Sequence, residues 1–239
     1  MNTNSVHISK KPLSNKGIFS LTPFTLLDYP HKTACIVWFA GCNMRCLYCY
    51  NPDIVLGKGK IGFDSILSFL KTRKGLLDGV VLSGGECTLH KKIIDFIKEI
   101  KTMGFAVKID TNGSNPKILN SLIRGQLIDY VALDYKSLPH TFKHLTQSGL
   151  FSEFQESLSL LIQSNIPFEV RTTFHSSLIT ESDFIQMIKY LESQNFEGNY
   201  YVQHFMNNVP TLSKLDHSTK EIQLKNFSTP KIKVISRDK

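Results

Sequence analysis

The sequence predicts an α/β protein folded as a partial (βα)6 TIM-like barrel, with an open and mostly parallel sheet. Six short apolar segments alternate along the chain with five segments whose apolar residues recur at helical spacing. This alternation predicts parallel strands joined by right-handed helical crossovers. Six units are too few for a closed eight-fold barrel, and the sequence shows no internal repeat.

The predicted strands are apolar runs that end in polar or glycine-rich loops. They cover residues 34–39, 79–83, 105–110, 128–134, 168–174 and 199–205, with a late strand at 231–236. The helices between them have apolar faces within residues 63–70, 93–100, 118–123, 151–162 and 184–191. Asn115 followed by Pro116 predicts one helix start, and Thr180 with Asp183 predicts a capping box at another.

Length and charge limit the organisation of the chain. Its 239 residues suffice for one domain, which we expect over residues 17–239, with a core at about 30–205 and an irregular C-terminal tail. Residues 1–16 are polar and basic, and we expect them to be disordered. The chain has neither an apolar run of membrane-spanning length nor a signal-like N-terminus, so we expect a cytoplasmic protein without a membrane partner.

The net charge of +8 comes from scattered lysines. Scattered lysines are typical of a solvated basic surface, so we expect no direct contact with nucleic acid. An acidic partner, such as a small electron-carrier protein, remains the alternative that the charge would favour.

Three cysteines, Cys42, Cys46 and Cys49, follow the first predicted strand within eight residues. Three thiolates leave one coordination position open on a zinc ion. A four-iron cluster with one iron not bound by protein would be a comparable open site, because clusters normally take one cysteine per iron. A structural zinc site with His31 or His90 as fourth ligand is the alternative.

Two further cysteines lie outside this group. Cys35 belongs to the first strand and is predicted to be a core residue. Cys87 is predicted to be a bystander thiol, although it could approach the cysteine loop. With only these two left, the chain cannot hold a second cluster on four cysteines.

Polar residues gather where the predicted strands end, which is where parallel α/β folds place their sites. Each group also has a purely structural alternative: a tight turn for Gly84-Gly85, an Asx-type turn at Asp110, a surface position for Lys136 and a structural histidine for His204. In strand order the groups are Cys42, Cys46 and Cys49; Ser83-Gly84-Gly85-Glu86; Asp110-Thr111-Asn112-Gly113; Asp134-Tyr135-Lys136; Arg171, Thr172, Thr173 and His175; and Gln203 and His204.

The cysteine spacing C-x3-C-x-aromatic-C, with Tyr48 as the aromatic residue, resembles the signature of radical S-adenosylmethionine (SAM) enzymes. The resemblance implies the same (βα)6 architecture and a [4Fe-4S] cluster on the three cysteines, with SAM chelating the fourth iron. Gly84-Gly85-Glu86 resembles the GGE motif of that family. This implies that the glycine backbone lies against the methionine portion of SAM and that Glu86 lies near its ammonium group.

Two later motifs resemble those of activating enzymes for glycyl-radical enzymes. Asp110-Thr111-Asn112-Gly113 matches their D-T-N-G motif, and Asp134-Tyr135-Lys136 matches their D-x-K motif. The resemblance implies that the first motif lies near SAM and that Lys136 pairs with the SAM carboxylate. It also implies that Asp110 and Asp134 could together hold a cation, and that His204 could meet SAM.

Residues 17–205 resemble in particular the activating proteins of anaerobic ribonucleoside-triphosphate reductase, through stretches such as Leu27-Asp28-Tyr29-Pro30. Tyr50 stands where that family usually has histidine, Cys87 stands where it usually has proline, and the tail after Asn208 matches poorly. The resemblance implies reductive cleavage of SAM to methionine and a 5′-deoxyadenosyl radical, which takes hydrogen from a glycine Cα.

The implied partners are the large subunit of that reductase and an electron donor such as flavodoxin or ferredoxin. Three alternatives stay open at this point. The chain could activate another glycyl-radical enzyme of the pyruvate formate-lyase type, or it could be a small-molecule radical SAM enzyme of deazaguanine biosynthesis. It could also be a non-enzymatic zinc-binding module.

Overall fold

The sheet of this protein has eight strands in sequence order. A computed structural model describes residues 16–219, 222, 224 and 227–237. Residues 1–15 of the predicted basic tail therefore lie outside the described residues. Strands β2 to β8 run parallel, and β1 pairs antiparallel with β2. The strands are β1 (Ile18–Thr25), β2 (Ala34–Phe39), β3 (Gly79–Gly84), β4 (Ala106–Thr111), β5 (Tyr130–Asp134), β6 (Phe168–Phe174), β7 (Gly198–His204) and β8 (Ile232–Ser236).

Helices connect the parallel strands, and the five predicted from apolar spacing are α2, α3, α4, α6 and α7. Both predicted helix starts are confirmed, because Asn115 accepts from the Ile118 amide and Thr180 forms a capping box with Asp183. The helices are α1 (Pro52–Leu56), α2 (Phe63–Lys71), α3 (Ile93–Thr102), α4 (Pro116–Arg124), α5 (Pro139–Thr146), α6 (Phe151–Ile162) and α7 (Glu181–Ser193).

The predicted fold class is confirmed: the protein is α/β, with a mostly parallel sheet that stays open between β1 and β8. The six predicted strands are β2 to β7, and β8 is the predicted late strand. Strand β1 was not predicted as a strand. Its apolar residues do not alternate cleanly, Pro23 interrupts the run and Phe24 is exposed, so it lacks the pattern of a half-buried strand.

Side-chain alternation divides the sheet into two faces. Residues such as Val37, Leu82 and Ile109 belong to the large core that also contains the buried helix residues. The opposite face has a small apolar cluster that includes Ile36 and Val81. Polar side chains dominate the rest of that inner face, so the concave side of the barrel offers a polar interior. No helix in the described part of the chain is long and apolar enough to span a bilayer.

Candidate active site

A cavity of about 360 Å³ opens at the C-terminal ends of the parallel strands. This volume lies within the range of small-molecule sites. The structure therefore brings most of the predicted groups into one place. Those lining the cavity are Cys42, Cys46, Cys49, Tyr48, Gly84, Gly85, Asp110, Asn112, Asp134 and Lys136.

The cysteine loop follows β2 and is anchored on the end of α5. The Arg45 amide donates to the Thr146 carbonyl at 2.8 Å, and the Leu47 amide donates to the Leu145 carbonyl at 3.0 Å. Helix α5 was not predicted, because its eight residues give too short an apolar pattern. It is nevertheless the element that holds the middle of the cysteine loop in place.

A second segment packs on the other side of the cysteine loop. We call residues 205–213, which follow β7, the cover segment. The Leu212 amide donates to the Cys49 carbonyl at 3.1 Å, and the Ser213 amide donates to the Leu47 carbonyl at 3.3 Å. The two contacts tie the tail that departs from the family pattern to the backbone between the last two cysteines.

Tyr50 fastens the same cover segment through its side chain. Its ring stacks on Phe205 with centroids 5.2 Å apart, and its hydroxyl oxygen accepts a hydrogen bond from the Met206 amide at 2.5 Å. The residue that replaces the usual histidine therefore holds the start of the cover segment against the cysteine loop.

All three cysteines of the motif line the cavity. Cys46 is buried, while Cys42 and Cys49 are half-buried at the cavity wall. Burial raises the pKa of Cys46 to about 11, against the opposing effect of Lys136, so its deprotonation depends on a bound metal. Among the described residues, no three His, Cys, Asp or Glu side chains surround one ion position.

His90 is held away from the cysteines by its own contacts. Its Nε2 atom lies 3.1 Å from the Ala40 carbonyl oxygen, and its ring packs against Phe39 and Phe63. Asn112 instead approaches Cys42, with its side-chain nitrogen 3.7 Å from the sulfur. Amide donors of this kind tune the sulfurs of a cluster.

Glycine is required where β3 meets the cysteine loop. Gly84 has a φ of +112°, and a Cβ atom there would lie 2.6 Å from the backbone of Phe39. A Cβ on Gly85 would lie 1.8 Å from the Gly41 carbonyl oxygen, and the Glu86 amide donates to that same oxygen at 2.9 Å. The bare backbone thus lets two loops of the site pack together and face the cavity.

Glu86 does not face the cavity, contrary to the expectation that its carboxylate meets the SAM ammonium group. It is fully buried and accepts from the Thr88 hydroxyl and amide at 2.6 and 3.1 Å. It also accepts from the Thr111 hydroxyl at 2.9 Å and the Asn112 amide at 2.7 Å. Burial raises the pKa of Glu86, although these hydrogen bonds oppose the rise. Glu86 and Thr111 therefore join the loops after β3 and β4 behind the cavity wall.

An ion-pair network of five side chains lies at the cavity, and four of them line it: Asp110, Asp134, Lys136 and Arg171. Arg171 bridges two carboxylates, at 3.3 Å from Asp110 and 2.9 Å from Asp134. Lys108 pairs with Asp110, and Lys136 pairs with Asp134 at 3.1 Å. The two carboxylates predicted to hold a cation are thus bridged by a guanidinium group and flanked by two ammonium groups.

The network sets the charge state of its members. Burial alone would raise the pKa of Asp110, but Arg171 and Lys108 lower it to about 2. Arg171 and Lys136 likewise outweigh burial at Asp134 and lower its pKa. Burial would lower the pKa of Lys136, but Asp134 raises it well above the usual value. Both carboxylates are therefore ionised at neutral pH, and Lys136 and Arg171 are charged.

The cavity lining also includes Arg171, Thr173 and Gln203, which were predicted at strand ends without an assigned role. His204, which was predicted to meet SAM, lies outside the lining and packs edge-on against Phe174. Successive strand residues point to opposite faces, so a register error of one residue exchanges Gln203 for His204. A charged arginine inside a predicted strand was the available signal for Arg171.

Two remaining cysteines are accounted for by burial. Cys35 lies in the core as predicted. Cys87 is fully buried, with its sulfur 3.7 Å from the Asp110 carbonyl oxygen, and it is not part of the cavity lining. Burial raises the pKa of Cys87 well above its usual value, which fits the predicted bystander thiol.

Comparison with known proteins identifies the family. The Radical SAM superfamily profile matches residues 36–191. A protein of Methanocaldococcus jannaschii, provisionally assigned as a glycyl-radical enzyme activating enzyme, is 31% identical over 194 residues, covering 79% of each chain. The pyruvate formate-lyase-activating enzyme of Clostridium pasteurianum is 32% identical over 140 residues, covering 55% of this chain and 58% of that enzyme.

A solved structure shows the same fold. The crystal structure of SuiB from Streptococcus suis superposes with a TM-score of 0.62 at 12% identity, covering 83% of this chain and 47% of that one. SuiB has also been solved with S-adenosylmethionine bound. At this identity the likeness concerns the fold alone. The profile match, together with three cysteines at the cavity mouth, places the chain in the radical SAM superfamily, whose enzymes use a [4Fe-4S] cluster and S-adenosylmethionine.

Proposed function

We propose that this protein is an activating enzyme that generates a glycyl radical on a partner enzyme. One observation carries the proposal: the cysteine loop, the D-T-N-G motif and the D-x-K motif, which lie far apart in sequence, open onto one cavity. The similarity to a relative assigned to the same activity over 79% of both chains supports it.

In this proposal Cys42, Cys46 and Cys49 hold three irons of a [4Fe-4S] cluster, and SAM lies in the cavity beside the open iron. When bound, the reduced cluster and SAM supply the 5′-deoxyadenosyl radical. The protein orients SAM and excludes water. The Gly84-Gly85 backbone provides a surface without side chains, against which the methionine portion can lie.

The charges of the cavity wall suit the amino-acid end of SAM. Lys136 and Arg171 line the cavity and present positive groups that could receive its carboxylate. Asp110 and Asp134 line the same wall and stay ionised, so the positive end of SAM also finds a partner. We therefore assign ammonium recognition to these two aspartates rather than to the buried Glu86.

The proposed partner is a protein that carries the target glycine on a loop. The sheet is open between β1 and β8, and Asp28, in the loop after β1, belongs to the cavity lining. A flexible loop that carries the target glycine could reach the cavity from this open side. The Cα of glycine is unhindered, and glycine adopts backbone conformations that are strained for other residues. Next to Asp28, the side chain of Leu27 is 88% exposed.

We propose anaerobic ribonucleoside-triphosphate reductase as the target, on the basis of stretches such as Leu27-Asp28-Tyr29-Pro30 and the loop after β4. An enzyme of the pyruvate formate-lyase type is the second candidate, and the 32% identity to a pyruvate formate-lyase-activating enzyme favours it. For the electron donor we propose flavodoxin or ferredoxin, since the net charge of +8 would attract an acidic carrier.

The test uses anaerobically reconstituted protein, SAM and a chemical reductant. We expect slow SAM cleavage by the protein alone, and faster cleavage with a glycyl radical signal in electron paramagnetic resonance when the reductase is added. Pyruvate formate-lyase is tested in parallel, and the better substrate identifies the target. The control is each partner with its radical-site glycine changed to alanine. Undiminished radical formation on that variant, or no response to either partner, would contradict the activase function and favour a small-molecule substrate.

A further inference from the structure

A second charged group lies on the inner face of the barrel, below the cavity wall. Glu169 on β6 is fully buried, and its carboxylate accepts from both terminal nitrogens of Arg237 at 2.9 and 3.3 Å. The Tyr130 hydroxyl donates to the same carboxylate at 3.0 Å. The Arg237 guanidinium also lies over the Tyr201 ring, 4.3 Å from its centroid.

This pair is adjacent to the ion-pair network. Glu169 and Arg171 are two residues apart on one strand, so both point to the inner face, about 7 Å apart along β6. The pKa of Arg171 reflects this neighbour: burial would lower it, but Asp110, Asp134 and then Glu169 raise it. Arg171 therefore lies between two carboxylates of the cavity wall and a third carboxylate below.

Arg237 satisfies the third carboxylate. It follows β8, and its backbone amide donates to the Val202 carbonyl at 2.8 Å, which fixes it beside β7. Its two hydrogen bonds to Glu169 form the bidentate arrangement typical of arginine and a carboxylate. With Glu169 neutralised in this way, Arg171 can direct its guanidinium to Asp110 and Asp134.

We propose that Arg237 is a positioning residue for the SAM site, which holds Arg171 at the cavity wall by occupying the competing carboxylate of Glu169. Removal of Arg237 leaves Glu169 buried with only the Tyr130 hydroxyl among these described partners, and a buried unpaired charge is strongly unfavourable. Arg171 is the cationic residue of β6 on the same face, and in that variant we expect it to turn toward Glu169. The inference rests on the proposed location of SAM in the cavity.

The test compares Arg237→Met, Arg237→Lys and the double variant Glu169→Gln with Arg237→Met. The probe is SAM, titrated into anaerobic cluster-loaded protein. Iron content and the thermal unfolding of cluster-free protein are measured alongside. We expect Arg237→Met to keep its iron and to bind SAM about tenfold more weakly, a coupling typical of linked sites. Arg237→Lys, which keeps the charge, should lose less affinity.

The double variant separates positioning from packing. It removes both members of the pair, so Arg171 has no competing carboxylate and SAM affinity should return to within about threefold of wild type, a small residual coupling. A double variant that binds SAM as weakly as Arg237→Met would show that lost packing is responsible, and would overturn the inference. Unchanged SAM affinity in Arg237→Met would do the same.

The SAM-binding test remains decisive if Arg237→Met does not fold, and its results distinguish failure of this inference from failure of the proposed function. If Arg237→Met yields no folded protein, the double variant alone decides: near wild-type SAM affinity supports the inference, and a tenfold loss overturns it. Wild-type protein that takes up four irons but binds no SAM would overturn the proposed function and this inference together. Wild-type binding combined with unaffected variants overturns the inference alone.

Discussion

Replacement of Tyr50 by phenylalanine tests whether the cover segment closes over the cysteine loop. The change keeps the ring that stacks on Phe205 and removes the oxygen that accepts from the Met206 amide at 2.5 Å. One hydrogen bond of this kind contributes about 1 kcal/mol, which corresponds to a roughly fivefold rise in the equilibrium for opening the segment. Tyr50→Ala also removes the stacked ring, which adds about 2 kcal/mol for a half-buried aromatic side chain.

The assay is hydrogen exchange at the amides of Leu212 and Ser213, which donate to the carbonyls of Cys49 and Leu47. Where exchange follows local opening, Tyr50→Phe should accelerate it about fivefold and Tyr50→Ala on the order of a hundredfold. In the loaded protein, the rate at which a chelator extracts iron should rise in the same order.

The matched control is Tyr190→Phe, since no hydrogen-bond partner of the Tyr190 hydroxyl is found among the described atoms. That change should leave exchange at Leu212 and Ser213 unaltered. If Tyr50→Ala exchanged these two amides at the wild-type rate, the argument that Tyr50 fastens the cover segment would be wrong.

Three further outcomes are expected. Reconstituted wild-type protein should contain about four irons, as measured by iron and sulfide analysis. The Cys46→Ser variant should lose this cluster, whereas the Cys35→Ala variant, changed in the core, should keep it. Glu86→Gln places an amide NH2 group against a backbone donor and should lower the free energy of unfolding by about 2 kcal/mol, whereas the exposed Glu156→Gln should leave the urea midpoint unchanged. Because the folded pKa of Asp110 is about 2 against an ordinary 3.8, its contribution of about 2 kcal/mol is present above pH 4 and is lost as the pH falls toward 2. The free energy of unfolding of Asp110→Asn should therefore fall less steeply across that interval, and equal slopes would contradict the network.

The barrel itself could be predicted because its strands and helices carry strong periodic patterns. Strand β2 and strand β6 have the predicted bounds. Strand β2 is an apolar run that stops at a loop with a different composition. Strand β1 and helix α5 were not predicted because neither has such a pattern. Strand β1 is stabilised by pairing with β2, and helix α5 is stabilised by packing beneath the cysteine loop. Tertiary contacts, which the local sequence does not show, therefore determine the secondary structure of these two elements.

The candidate site was predictable as a set of residues but not as a set of orientations. Motif spacing and strand ends located the cysteines, the glycines and Asp110 correctly at one cavity. The sequence could not show that Glu86 turns inward to four donors, because two of them, from Thr111 and Asn112, lie on a loop 25 residues away. Nor could it distinguish Gln203 from His204, since one residue of register reverses the face.

The cover segment has a consequence for the order in which the protein is made. Tyr50 and Met206, which join the cysteine loop to its cover, are 156 residues apart. At a synthesis rate of about 5 to 20 residues per second, the loop leaves the ribosome between about 8 and 30 s before its cover does. During that interval the three cysteines belong to a chain that still lacks the hydrogen bonds from Leu212 and Ser213 to the cysteine loop.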